Sequence, residues 1–173
     1  MKKKPFMTKA KLTIIFSIVI ILLDQMLKAI AINITNGGSI EIIKGVLNFT
    51  YISNPGGAFG LGSDSATFLL INALVIFLLI RFMITQKDRI DIKTSTSLLL
   101  IISGGISNLI DRIFRGGVVD FIDISQVINF PKFNLADICI VVGWILFVLF
   151  AAIHTNEIIQ ERKKKFERIK KDN

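Results

Sequence analysis

Residues 12–32 read LTIIFSIVIILLDQMLKAIAI, an apolar run preceded by Lys2, Lys3, Lys4, Lys9 and Lys11, whose only charges are Asp24 and Lys28. A basic segment followed by an apolar one is the layout of a secretory signal, whose apolar part spans about 7–15 residues and ends in a small-residue cleavage site. This run is longer, carries two charges and lacks that site, so it reads as a retained signal-anchor helix. Three further apolar runs follow at 66–84, 94–114 and 135–154. Each is close to the roughly 20 residues that cross about 30 Å of hydrocarbon. The chain is therefore expected to be an all-α membrane protein of one domain, 1–173, with four transmembrane helices and a basic tail over 155–173.

Composition agrees. Of 173 residues, 52% are hydrophobic and 20% charged, and the mean hydropathy is +0.64, well above the needs of a soluble core. Four membrane-crossing runs leave no room for a large soluble catalytic domain. One cysteine cannot form an internal disulfide, and one histidine cannot supply a His-rich metal site. Carboxylates are the chemistry that remains. The net charge of +8 suggests nucleic acid at first, yet 12 of the 21 basic residues lie in the two terminal segments beside apolar runs. Membrane orientation explains them better, so no nucleic-acid partner is expected.

Orientation follows from Lys and Arg. Five basic residues precede the first run, Arg81, Lys87, Arg89 and Lys93 flank the gap between the second and third, and seven follow Glu161. The other side holds Lys44, Arg115 and Lys132. The positive-inside rule therefore places both termini in the cytoplasm and the two longer loops outside. In the first loop, Val46 to Ile52 alternates, with Leu47, Phe49 and Tyr51 on one face and Asn48 and Thr50 on the other, which predicts a short amphipathic strand. The turn-rich Asn54-Pro55-Gly56-Gly57-Ala58-Phe59-Gly60 follows. The second loop spans 115–134. The tail reads as a solvated helix near anionic headgroups.

Charges inside membrane segments are costly, so each needs a reason. Asp24 and Lys28, four apart, share a helix face and can pair. Near the outer end of the third run, Asn108, Asp111 and Arg112 lie at helical spacing, below the small residues Ser103, Gly104 and Ser107. They read either as a packing network or as support for a site. Beyond them stand Asp120 in Val118-Val119-Asp120-Phe121-Ile122-Asp123 and Asp137 in Phe133-Asn134-Leu135-Ala136-Asp137. A carboxylate among apolar residues is poorly solvated, which raises its pKa, and a neighbouring carboxylate raises it further. Such a pair can share one proton, one member activating water while the other polarises a carbonyl. Spacing alone leaves other readings open: Asp137 as a helix-start residue with Asn134 as N-cap, and Asp120 and Asp123 as solvated loop residues. Cys139 and His154 are held about 22 Å apart by helix, so they form no dyad. Asn72 is expected to make an interhelical hydrogen bond, and Trp144 to be a packing or lipid-facing aromatic.

Taken together, Asp24-Gln25 with Lys28, the Asn54 loop, Asn108 with Asp111-Arg112, Val118 to Phe121 and Phe133 to Asp137 resemble, in order, the lipoprotein signal peptidases (signal peptidase II) of bacterial cytoplasmic membranes. The resemblance implies a metal-free aspartic endopeptidase with no cofactor, cleaving prolipoproteins before a diacylglyceryl-modified cysteine. It implies catalytic roles for Asp120 and Asp137. Substrate-binding or supporting roles are implied for Asp24, Lys28, Asn54, Gly56, Ala58, Gly104, Asn108, Asp111, Arg112, Val119, Phe121, Asn134 and Ala136, and a small extracytoplasmic β-cradle around Leu47, Phe49 and Tyr51. Asn134 and Asn108 would orient the carboxylates, and Arg112 would balance Asp111 or Asp24. Ser107 and Gly57 depart from the family's usual Gly and Ala. The partners implied are the lipid-modified prolipoprotein and membrane lipids, with the enzyme a monomer. Two rivals remain: a lipid phosphotransferase holding Mg2+ with Asp120, Asp123 and Asp137, and a proton-coupled transporter.

Overall fold

The computed structural model describes residues 6–56 and 65–172; Ala58, with Gly57 and Phe59 of the turn-rich loop, lies outside the described residues. The elements run α1 (Phe6–Thr35), β1 (Ser39–Ile43), β2 (Leu47–Asn54), α2 (Ser65–Thr85), α3 (Ile92–Arg115), β3 (Val118–Asp123) and α4 (Leu135–Asp172). Among the described residues, four helices are long and apolar enough to cross a membrane, as the apolar runs predict. Their flanks are coated with exposed large hydrophobics such as Leu22, Leu70, Phe77 and Ile145, which in water would be a liability and in lipid is the solvated state.

α3 is the centre. It packs against α1, α2 and α4, and over half of its span is buried, against small fractions of the others. Its buried face is unusually small and polar: Ser97, Ile101, Gly104, Asn108 and Asp111 recur at steps of three and four. Lipid offers helices little hydrophobic reward for associating, so close backbone approach and hydrogen bonds carry the packing. A Cβ on Gly104 would collide with the Ala136 carbonyl oxygen of α4, and one on Gly143 would meet Ile101 Cγ1 at 2.7 Å and Ser97 O at 2.9 Å. Asn72 of α2 donates to Gly105 O at 3.1 Å, the interhelical bond expected of it. Asp91 caps the start of α3 by accepting from Thr94 N at 2.8 Å, and Gly116, at φ 75°, ends it in a left-handed cap.

The loops hold more strand than alternation suggests. β1, β2 and β3 form an antiparallel sheet in that order, at the end of the bundle where α1 and α3 finish and α4 begins. Residues 118–123 read as loop, because a six-residue strand buried on both faces shows no alternation. Asp120 and Asp123 are accordingly 3% and 7% exposed, which overturns their reading as solvated loop residues. In β2, Phe49 meets Phe121 with ring centroids 5.0 Å apart, yet the buried position is Thr50 on the polar face, whose hydroxyl donates to Gly38 O at 3.2 Å. At the far end, α4 continues unbroken to Asp172, because residues 144–172 contain neither Gly nor Pro. Its 38 residues extend about 57 Å, nearly twice the roughly 30 Å of hydrocarbon. The tail is thus a helical continuation of the last membrane helix rather than a separate segment.

Candidate active site

α4 begins with a reciprocal cap. Asn134 Oδ1 accepts from Asp137 N at 2.9 Å, and Asp137 Oδ2 accepts from Asn134 N at 3.2 Å, so the residue before the helix and the third residue within it satisfy each other. The helix-start reading of Asp137 is therefore correct, but it uses one carboxylate oxygen only. The other, Oδ1, accepts from Asn108 Nδ2 at 2.8 Å. Asn134, fully buried, also sends its amide hydrogens to Val119 O at 3.3 Å and to Asp120 Oδ1 at 2.8 Å. Asp120 Oδ2 accepts from Asn54 Nδ2 at 3.0 Å, and Asn54 is held in turn by Gly56 N, which donates to Asn54 Oδ1 at 3.1 Å. Among the described residues, each of the four oxygens thus accepts one amide hydrogen and keeps a lone pair free, and Asn134 touches both carboxylates.

A second tier lies beneath. Lys28 donates to Asp24 Oδ2 and Asp111 Oδ2, each at 2.7 Å, and all three side chains are fully buried. Asp24 Oδ2 also accepts from Ser107 Oγ at 2.6 Å, and Gln25 Nε2 reaches Ser107 Oγ at 3.0 Å and Asp111 Oδ1 at 3.0 Å. Arg115 pairs with Asp111 and donates to Gln25 Oε1. Arg112 does not take the role expected of it. Adjacent residues of a helix point about 100° apart, so Arg112 cannot turn to Asp111, whereas Arg115, one turn on, can. Arg112 instead donates to Asn108 O at 3.3 Å and Gly56 O at 3.5 Å, and its Nε has no partner among the described residues.

Asp120, Asp137 and Arg112 open onto a cavity of about 470 Å³ whose remaining wall is largely apolar, built from Phe130, Phe133, Val141 and neighbours. Of the residues singled out by sequence, Asn54, Gly56 and Asn108 line it as well, while Asp24, Lys28, Gly104, Asp111, Val119, Phe121, Asn134 and Ala136 support it from behind. Sequence reasoning assigned no bonding role to Ser107, Gln25 and Arg115. The four-residue step from Asp111 to Arg115 was the available signal for the last. Asp123 is held away from the cavity, accepting from Ser125 N at 2.9 Å and facing Lys132 at 3.6 Å. Three residues apart on a strand, Asp120 and Asp123 point to opposite faces, which breaks up the three-carboxylate magnesium set. Among the described residues, no cluster of three or more His, Cys, Asp or Glu converges to hold a metal ion.

Burial pushes the Asp120 carboxyl up to about 6, the Asp137 carboxylate pushes in the same direction, and the Asn54 and Asn134 amides restrain the rise. Between about pH 4 and 6 the folded state therefore holds a proton that the unfolded chain has lost, so this group's stabilisation is complete below about pH 4 and gone above about pH 6. Asn in its place has nothing to titrate. Relative to wild type, Asp120→Asn is expected to gain stability as pH rises from 4 to 7, by up to about 3 kcal/mol. Thermal unfolding in detergent at four pH values checks this, and a constant difference between the two proteins would contradict it.

Known proteins bear on this arrangement. The model of a family described as signal peptidase (SPase) II matches residues 16–153. A lipoprotein signal peptidase of Caldicellulosiruptor bescii is 37% identical over 142 residues, 82% of this chain and 91% of that one. Another, from Halalkalibacterium halodurans, is 39% identical over 157 residues, 89% and 96% of the two chains. Among solved structures, a bacterial membrane enzyme superposes with a TM-score of 0.76 at 30% identity, covering 91% of this chain and 95% of its own.

Proposed function

The chain belongs to the signal peptidase II family, a multi-pass membrane protease that removes signal peptides from prolipoproteins, and on that premise we propose that it is an aspartic endopeptidase whose catalytic pair is Asp120 and Asp137. The observation that carries this reading is the sharing of Asn134 by two carboxylates that line one largely apolar cavity. Two carboxylates so placed titrate as a unit and hold one proton between them.

The charges favour that state. Asp24 and Asp111 are matched by Lys28 and Arg115, and Asp123 by Lys132. Arg112 is left facing the pair, so the site is neutral when the pair carries a single proton.

In the reaction, the ionised aspartate removes a proton from a water held between the two, and the resulting hydroxide attacks the scissile carbonyl carbon. The protonated partner gives its proton to the carbonyl oxygen, forming a tetrahedral diol. Collapse of the diol breaks the C–N bond: one diol hydroxyl returns its proton to the partner aspartate as the C=O re-forms, and the proton taken from water passes to the leaving nitrogen of the cysteine. The apolar wall suits the acyl chains of a diacylglyceryl-modified cysteine arriving from lipid. The distribution of basic residues supports a topology with both termini in the cytoplasm and the site at the outer face. On this reading the working unit is one domain over residues 1–173, acting as a monomer.

A gel-shift assay on a diacylglyceryl-modified prolipoprotein, with EDTA present throughout, tests the reading. Wild type is expected to cleave and folded Asp120→Asn to fail. Wild type that is inert in EDTA and restored by Mg2+ would overturn the aspartic assignment.

A further inference from the structure

Lys28 Nζ has three hydrogens and three acceptors: Asp24 Oδ2 at 2.7 Å, Asp111 Oδ2 at 2.7 Å and Asn108 Oδ1 at 2.9 Å. Following each acceptor outward leads to a catalytic segment. Asp24 Oδ1 accepts from Ala136 N at 2.9 Å, the amide immediately before Asp137. Asp111 Oδ2 accepts from Val119 N at 3.2 Å, the amide immediately before Asp120. Asn108 Nδ2 donates to Asp137 Oδ1 at 2.8 Å. Among the described residues of α1 none lines the cavity, and Lys28 is fully buried, so it acts without touching substrate.

An asparagine amide can turn over, exchanging its oxygen and nitrogen. At Asn108 the turned state would set NH2 against the Lys28 ammonium and oxygen against the Asp137 carboxylate, two repulsive contacts in place of two attractive ones. The ammonium therefore fixes Asn108 as a donor to Asp137. Neutralising a buried carboxylate requires only one cation, and Asp111 has Arg115 already. What the second cation adds is a common anchor for α3, β3 and α4.

We infer that Lys28 is a positioning residue: through Asp24, Asp111 and Asn108, this one buried ammonium sets the relative placement of Asp120 and Asp137 and the direction of the Asn108 amide. The inference rests on Asp120 and Asp137 being the catalytic pair.

Removing Lys28 alone strands two buried carboxylates, so the test uses Lys28→Met with Asp24→Asn, which deletes one charge of each sign and leaves Asp111 its bonds to Arg115, Gln25 and Val119. Asp24→Asn alone is the control. With diacylglyceryl-modified prolipoprotein in detergent, the double variant is expected to lose about 10²-fold in kcat, the effect of an ångström-scale misplacement, with KM unchanged. The control is expected to lose less. A second variant, Asn108→Asp, keeps the side chain's size and strengthens the bond to Lys28, but presents an oxygen to Asp137. It is expected to fold with some loss of stability, from the oxygen set against Asp137, and to lose at least about tenfold in kcat, the low end of such positioning effects. Full kcat in either variant, or a loss confined to KM, would overturn the inference. Asp120→Asn run alongside separates the two levels: if it still cleaves, the catalytic assignment fails, whereas if it is inert and the Lys28 variant is fully active, only the positioning role fails.

Discussion

Asp137→Asn is expected to lower kcat by about 10³-fold or more, in the upper part of the range for loss of a general acid or base, while leaving the fold close to wild type. The fold is retained because Asn Oδ1 can still accept from Asn134 N, so the reciprocal cap at the start of α4 survives. Catalysis is not spared, for two reasons. An amide neither accepts a proton from water at neutral pH nor carries one to the carbonyl oxygen. In addition, its NH2 meets the NH2 of Asn108, which cannot turn away because its oxygen is bonded to Lys28. Single-turnover cleavage of a diacylglyceryl-modified prolipoprotein reads the chemical step directly. Retention of more than about a tenth of wild-type rate, less than the smallest loss expected for a general acid or base, would remove Asp137 from the pair. Asp123→Asn is the informative companion: that carboxylate does not line the cavity and accepts from Ser125 N, so the variant is expected to go on cleaving.

The largest loss of stability is expected from Asp111→Ala, at about 3–5 kcal/mol, the cost of breaking a buried ion pair from one side. Asp111 is fully buried and accepts from Lys28, Val119 N, Gln25 and Arg115, so its removal leaves donors from α1, α3 and β3 without their acceptor. Arg115→Ala removes one of the same contacts from the other side. Its guanidinium reaches solvent, and it is expected to cost no more than about 1 kcal/mol, as surface pairs do. Detergent-phase unfolding followed by circular dichroism distinguishes the two. Equal losses would show that the energy of the cluster lies at its rim rather than in the buried tier.

Legibility differed from feature to feature, for physical reasons. The four spans were readable because bilayer thickness imposes a length on any apolar run that crosses it, and α2 and α3 extend only a residue or two beyond the runs at 66–84 and 94–114. Asn72, Asn108 and Asn134 were readable as bond-makers because polar groups in such surroundings must find partners. β3 was not readable, since a strand buried on both faces carries no alternation. Nor was the partner of Arg112: charge type names a candidate pair, but the direction of a side chain around its helix decides it.

Residue types and run lengths by themselves determined that this chain has four membrane-crossing spans and that carboxylates in apolar surroundings gather near one end of the bundle, because both follow from local composition measured against the thickness and polarity of the bilayer. Tertiary structure alone decided that Asp120 and Asp137 share Asn134, that Asp123 turns away, and that Lys28 reaches the segments bearing both. Those facts depend on contacts such as Asp24 to Ala136 and Gln25 to Ser107, which join residues more than eighty positions apart in the chain and leave no local periodicity by which to read them.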